Sequence, residues 1–109
     1  MDQNEITKRL GLDPEKLRAF CRRWKVAELA VFGSLLRDDF GPGSDADLLV
    51  TFDEHADWSA WDFALMREEL VELLDRDVDL VERPVIQQSR NYIRKAAILA
   101  DLEVIYAAR

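Results

Sequence analysis

The sequence predicts a small α/β (α+β) domain in which helices pack on a mixed β-sheet. Three observations predict it. Segments with helical and strand periodicity alternate along the chain. The seven residues 39–45, between the first two strand segments, are rich in turn formers and too few for the helical crossover that parallel strands require. The 109 residues, 49% of them hydrophobic, make one domain, 1–109, well away from the apolar-poor composition of disordered chains. A chain this long buries roughly two thirds of its unfolded surface, enough for one core.

Residues 4–10 read as a short helix ended by Gly11. Asp13 caps the next helix with Pro14 at its first position, and Leu17, Phe20, Cys21 and Trp24 follow the i, i+3, i+4, i+7 spacing of one buried face. Cys21 is therefore core filling. Residues 28–32 form a strand that runs straight into Gly33 and Ser34, and residues 47–52 form a second. From 59 to 74, Phe63, Met66, Leu70, Leu73 and Leu74 repeat with helical period. Residues 67–72 supply a solvated face, and Trp58 and Trp61, near the helix start, pack over the sheet edge or, as the alternative, form a partner-facing patch. Residues 77–82 alternate charged with apolar side chains, so Val78 and Leu80 face the core while Asp77, Asp79 and Val81 point the other way. A helix beginning at Ile86 or Ser89 and ending at Leu99, then a strand over 103–106, complete the pattern. Arg90, Arg94 and Lys95 are read as charge on the surface of that helix, with a place near bound phosphates as the alternative, and His55 as a loop residue.

Composition excludes several functions. With 15 Lys plus Arg against 22 Asp plus Glu the net charge is −7, and the sequence pI is about 4.7. A nucleic-acid-binding domain shows a basic stripe instead, so stable direct binding to DNA or RNA is not expected. No run approaches the ~20 apolar residues of a membrane span, and residues 1–5 lack the basic and apolar regions of a signal peptide, so no membrane partner and a cytoplasmic location are expected. One cysteine and one histidine exclude an internal disulfide and a Cys/His zinc cluster.

Chemistry concentrates around one stretch. The chain has three Asp-x-Asp spacings, Asp45/Asp47, Asp75/Asp77 and Asp77/Asp79, and only the first opens an apolar strand after a glycine-rich turn. Gly33 can adopt positive φ and lets a ligand approach the backbone, while Ser34 can cap the helical segment that follows. The N–H groups of such a turn, with the Ser34 hydroxyl and Arg37, suit the phosphates of a nucleotide. Residues i and i+2 of a strand share one face about 6.5 to 7 Å apart, so the carboxylates of Asp45 and Asp47 can converge on one or two cations. Mg²⁺ suits such a pair because substrate phosphates and water complete its shell. A third carboxylate on a neighbouring strand would close the site; Asp79 and Asp77 both project from the right face, and Asp79 has the more apolar setting.

The arrangement Val31-Phe32-Gly33-Ser34, ten residues, then Asp45-Ala46-Asp47-Leu48-Leu49-Val50, with Val78-Asp79-Leu80-Val81 downstream, resembles the Gly-Ser-x10-Asp-x-Asp signature of the DNA polymerase β-like nucleotidyltransferase superfamily. The similarity runs from about Leu17 to Tyr106. The small size is like that of the minimal nucleotidyltransferase group, which is paired with HEPN proteins as the antitoxin half of toxin-antitoxin modules. The resemblance implies the nucleotidyltransferase fold, ATP as substrate and two Mg²⁺ ions. It implies triphosphate binding at Gly33 and Ser34, metal binding at Asp45 and Asp47, and completion of the site and activation of the acceptor hydroxyl by Asp79. Ala46 stands where the family frequently has a branched residue, a change that touches no ligand. The activity implied is transfer of AMP to a hydroxyl, foremost a tyrosine, of a cognate HEPN RNase toxin. Two alternatives are a non-catalytic antitoxin that neutralises a basic RNase by binding it, and a transferase for a small-molecule acceptor completed by a helical partner.

Overall fold

The computed structural model describes residues 3–33, 41 and 43–108. Along them the chain forms α1 (Gln3–Leu10), α2 (Pro14–Arg23), β1 (Val26–Phe32), β2 (Ala46–Phe52), α3 (Ala60–Leu74), β3 (Val78–Glu82), α4 (Arg83–Gln87), α5 (Tyr92–Ala100) and β4 (Glu103–Ala107). The four strands make one sheet in the order β3-β2-β1-β4. β1 pairs antiparallel with both β2 and β4, and β2 pairs parallel with β3. The sheet is mixed, as expected, because β1 and β2 are joined too closely for a crossover whereas β2 and β3 are joined through α3.

Each face of the sheet has its own core. On one face α1, α2 and α3 bring Ile6, Leu17, Phe20, Cys21, Met66 and Leu70 against Leu29, Val31, Leu48, Val50, Val78 and Leu80. On the other a smaller cluster joins Ile86 of α4 and Ile98 of α5 to Ala30, Phe32 and Leu49. Strand alternation sends Leu48 and Val50 one way and Leu49 the other. In β1 a bulge between Val26 and Glu28 inserts Ala27 and resets the phase, so that Val26 joins Leu29 and Val31 in the larger core.

Local chemistry sets the helix ends. Asp13 accepts from the Glu15 N–H at 3.0 Å, with Pro14 opening α2. Ser59 Oγ accepts from the Asp62 N–H at 3.1 Å while Asp62 Oδ2 accepts from the Ser59 N–H at 3.0 Å, a reciprocal capping box. Asp75 ends α3 in the left-handed region with φ 52°, which occupies the second Asp-x-Asp spacing in stopping a helix.

Three expectations are corrected. The single helix expected to end at Leu99 is two, α4 and α5, because Pro84 starts the first and Asn91 Oδ1 caps the second by accepting from the Arg94 N–H. Trp58 packs inward, edge-on to Trp24 at 5.1 Å and donating from Nε1 to the Trp24 carbonyl at 2.8 Å, but Trp61 is 74% exposed, on the side of α3 away from Met66 and Leu70. The polar run 67–72 is not wholly solvated, since Glu69 accepts from Trp24 Nε1 and Arg67 Nε donates to the Val78 carbonyl.

Cys21 is buried, and desolvation pushes its thiol up to about 12. At neutral to mildly alkaline pH it stays protonated, and iodoacetamide is expected to label it only as fast as the protein unfolds. Ser59→Ala removes one side of the capping box and should lower stability by about 1 kcal/mol in urea denaturation, without changing the fold.

Candidate active site

The sheet register builds the site. Phe32 pairs with Asp47 across the antiparallel β1/β2 ladder, and Asp47 pairs with Asp79 across the parallel β2/β3 ladder. Side chains of partners on neighbouring strands share a face, so Asp47 and Asp79 stand side by side, one strand spacing of about 4.8 Å apart at the backbone. Asp45, two residues before Asp47, lies at the mouth of the same face and is exposed. Asp77 precedes β3, and its carbonyl accepts from the Ala46 N–H at 2.9 Å, locking the start of the ladder. The register thus sets Asp79, not Asp77, opposite Asp47.

Gly33 follows β1 directly and has φ 71°, the left-handed conformation that glycine adopts without a Cβ penalty. Its missing side chain has a second use. A Cβ there would collide with Asp47 Oδ2 and lie 3.2 Å from Asp47 Cγ. The carboxylate of Asp47 therefore rests against the bare backbone of Gly33. Ser34 and Arg37, expected to hold phosphates, lie outside the described residues.

Two arginines at the site stand outside the expected site residues. Arg76, in the turn between α3 and β3, donates from Nη1 to the carbonyls of Gly41 and Ser44, both at 3.3 Å. Ser44 in turn holds Gly41, its N–H reaching the Gly41 carbonyl and its Oγ accepting from the Gly41 N–H, each at 3.0 Å. This pins the segment that delivers Asp45. Arg94, assigned to the helix surface by its sequence position, reaches from α5 to within 3.9 Å of Asp79 Oδ2, with both side chains about half exposed. The only sequence signal for Arg76 is its place inside Asp75-Arg76-Asp77; Arg94 gives none, because its role depends on where α5 docks.

The donor set is hard oxygen on one open face. Among the described residues no three Asp, Glu, His or Cys side chains converge into a preformed cation cage. A hard cation such as Mg²⁺ needs only one or two carboxylates and completes its shell with water and phosphate oxygens. The space that glycine leaves at position 33 is taken by the Asp47 carboxylate itself.

Residues 14–100 match the nucleotidyltransferase domain family. A protein of Methanocaldococcus jannaschii named as a putative protein adenylyltransferase is 36% identical over 74 residues, 68% of this chain and 71% of its own. A chain in the crystal structure of a toxin-antitoxin with AMP-PNP superposes with a TM-score of 0.65 at 19% identity, covering 90% of this chain and 76% of that one. A chain in the complex of a tri-AMPylated Shewanella oneidensis HEPN toxin with an MNT antitoxin gives 0.58 at 18% identity, covering 87% and 70%. At these identities the structural likeness is one of fold.

Gly33 and Gly11 make a matched test, because Gly11 has a similar φ of 61° with nothing within 4 Å of a built Cβ. Each glycine-to-alanine change should lower stability by about 1 kcal/mol through its backbone. Only Gly33→Ala pushes the Asp47 carboxylate aside. Mg²⁺ plus ATP is expected to raise the melting temperature of wild type and Gly11→Ala and to leave that of Gly33→Ala unmoved.

Proposed function

The chain belongs to the nucleotidyltransferase domain family, and from that premise we propose that it is a Mg²⁺-dependent adenylyltransferase. It transfers AMP from ATP to a hydroxyl, a tyrosine, of a cognate HEPN-type RNase toxin and so acts as its antitoxin. The observation that carries this reading is the ladder that sets Asp47 opposite Asp79, with Gly33 backed against Asp47. The name of the Methanocaldococcus jannaschii relative supports AMP transfer to protein, and the Shewanella oneidensis complex supports a HEPN toxin as acceptor.

In this reading Gly33, Ser34 and Arg37 hold the triphosphate, and Asp45, Asp47 and Asp79 hold two Mg²⁺ ions. Held there, the ions would offset phosphate charge and lower the pKa of the attacking hydroxyl. The acceptor oxygen bonds to the α-phosphorus as the bond to pyrophosphate breaks in line, and the hydroxyl proton passes to Asp79 or to water. Positioning and charge are the protein's contribution. Asp79 is the carboxylate nearest the open side of the sheet and half exposed, which leaves it accessible to a protein acceptor. No helix among the described residues is long and apolar enough to cross a membrane, and we place the reaction in the cytoplasm.

The test is the intact mass of a cognate HEPN protein after incubation with this protein, ATP and Mg²⁺. Wild type should add one or more AMP units, and Asp45→Asn/Asp47→Asn should slow the transfer by about 100-fold or more. A stable complex with no added mass supports neutralisation by binding instead. Transfer to a small molecule alone supports the third reading.

A further inference from the structure

We propose that the outer edge of β3 is the acceptor site, and that it takes an extended segment of the partner protein as an added strand. This rests on the AMP-transfer reading for its substrate, but the docking itself is tested separately.

β3 is an edge strand. Backbone polar groups alternate sides along a strand, and the Asp77 carbonyl points inward to the Ala46 N–H. Val78, Leu80 and Glu82 therefore aim theirs outward. At Val78 the outward carbonyl is already taken, accepting from Arg67 Nε at 2.8 Å, so the edge left for an added strand is that of Leu80 and Glu82. At Leu80 the edge opens into a groove of about 470 Å³, walled by Trp58 and Phe63 from one layer and Val85, Ile86 and Arg94 from the other. That volume lies in the range of ligand-binding clefts, roughly 300–1,000 Å³.

Three features select the occupant. A strand edge offers alternating donors and acceptors at backbone spacing, which a polypeptide backbone matches. The groove leads to the reaction centre: Arg94 both lines it and lies 3.9 Å from Asp79. A residue of the added strand level with Asp79 would share its face of the sheet, one strand spacing away. At the opposite end the groove shares Trp58, Phe63 and Glu82 with a second hollow of about 280 Å³ that adds Asp53 and Asp57. The matching segment thus carries its acceptor hydroxyl at the Asp79 end, apolar side chains between, and a basic residue at the Asp53/Asp57 end.

Val85 is 60% exposed on the groove wall, so Val85→Arg obstructs the groove without entering the core or the phosphate site. With the HEPN protein below saturation, Val85→Arg should transfer AMP at least about tenfold more slowly, while its melting shift with Mg²⁺ and ATP equals that of wild type. A charge reversal, Asp57→Lys, should raise KM for the HEPN protein with kcat unchanged. Hydrogen exchange of the wild-type complex should show the Leu80 amide slowed at least about tenfold. Full activity in Val85→Arg, or a complex whose protection falls elsewhere and spares Leu80, overturns the proposal. If Leu80 is protected but no AMP is transferred, the docking stands and the catalytic reading falls. If no complex forms, both fall.

Discussion

The parallel pairing of β2 with β3 is the interaction on which the site depends, because it alone sets Asp47 beside Asp79. A parallel pair needs a long connection, and α3 provides it, running from the Ser59 capping box to the left-handed Asp75. α3 also buries Met66, Leu70 and Leu74 in the larger core. The crossover that aligns the aspartates is therefore held by hydrophobic burial on the opposite face of the sheet. Fold stability and site geometry share elements but not surfaces, and the carboxylates can stay in water while their backbone is fixed by the core beneath.

This division explains why the two faces differ so much in depth. Among the described residues, the face with α1, α2 and α3 carries most of the buried apolar side chains, whereas the site face is covered by α4 and α5, through Ile86 and Ile98. Its cover is fastened by polar ties as well: Arg83 reaches Glu28 at 2.8 Å and Lys95 Nζ donates to the Gln87 carbonyl at 2.7 Å. The Arg83–Glu28 pair is partly buried, its side chains 30% and 34% exposed, and with the Lys95 hydrogen bond it orients the two short helices around the open end of the sheet.

Much of this was legible in the sequence because the informative residues are tied to backbone constraints. Gly33 must be glycine for its φ and for the space Asp47 occupies, and Asp45 and Asp47 declare their shared face through the period of two. The mixed sheet followed from the short connection between the first two strands. The break between α4 and α5 was missed because Ile86 and Ile98 both suit one helical face, and the capping role of Asn91 is shared by many loop asparagines. Arg76 was missed, and Arg94 was left on the helix surface, for a different reason. Their partners are a distant loop and a neighbouring strand, and nothing in local periodicity reports which solvent-facing cation tertiary packing will bring to a carboxylate.

The antiparallel pairing of Phe32 with Asp47 has an evolutionary corollary. It fixes both ends of the segment that joins Gly33 to Asp45, whatever lies between them. Closing a longer loop between ends already held adds only about 0.6 kcal/mol per doubling of length. Changes of length there are accordingly cheap in fold stability, provided that the Gly41/Ser44 turn that Arg76 holds ahead of Asp45 is kept.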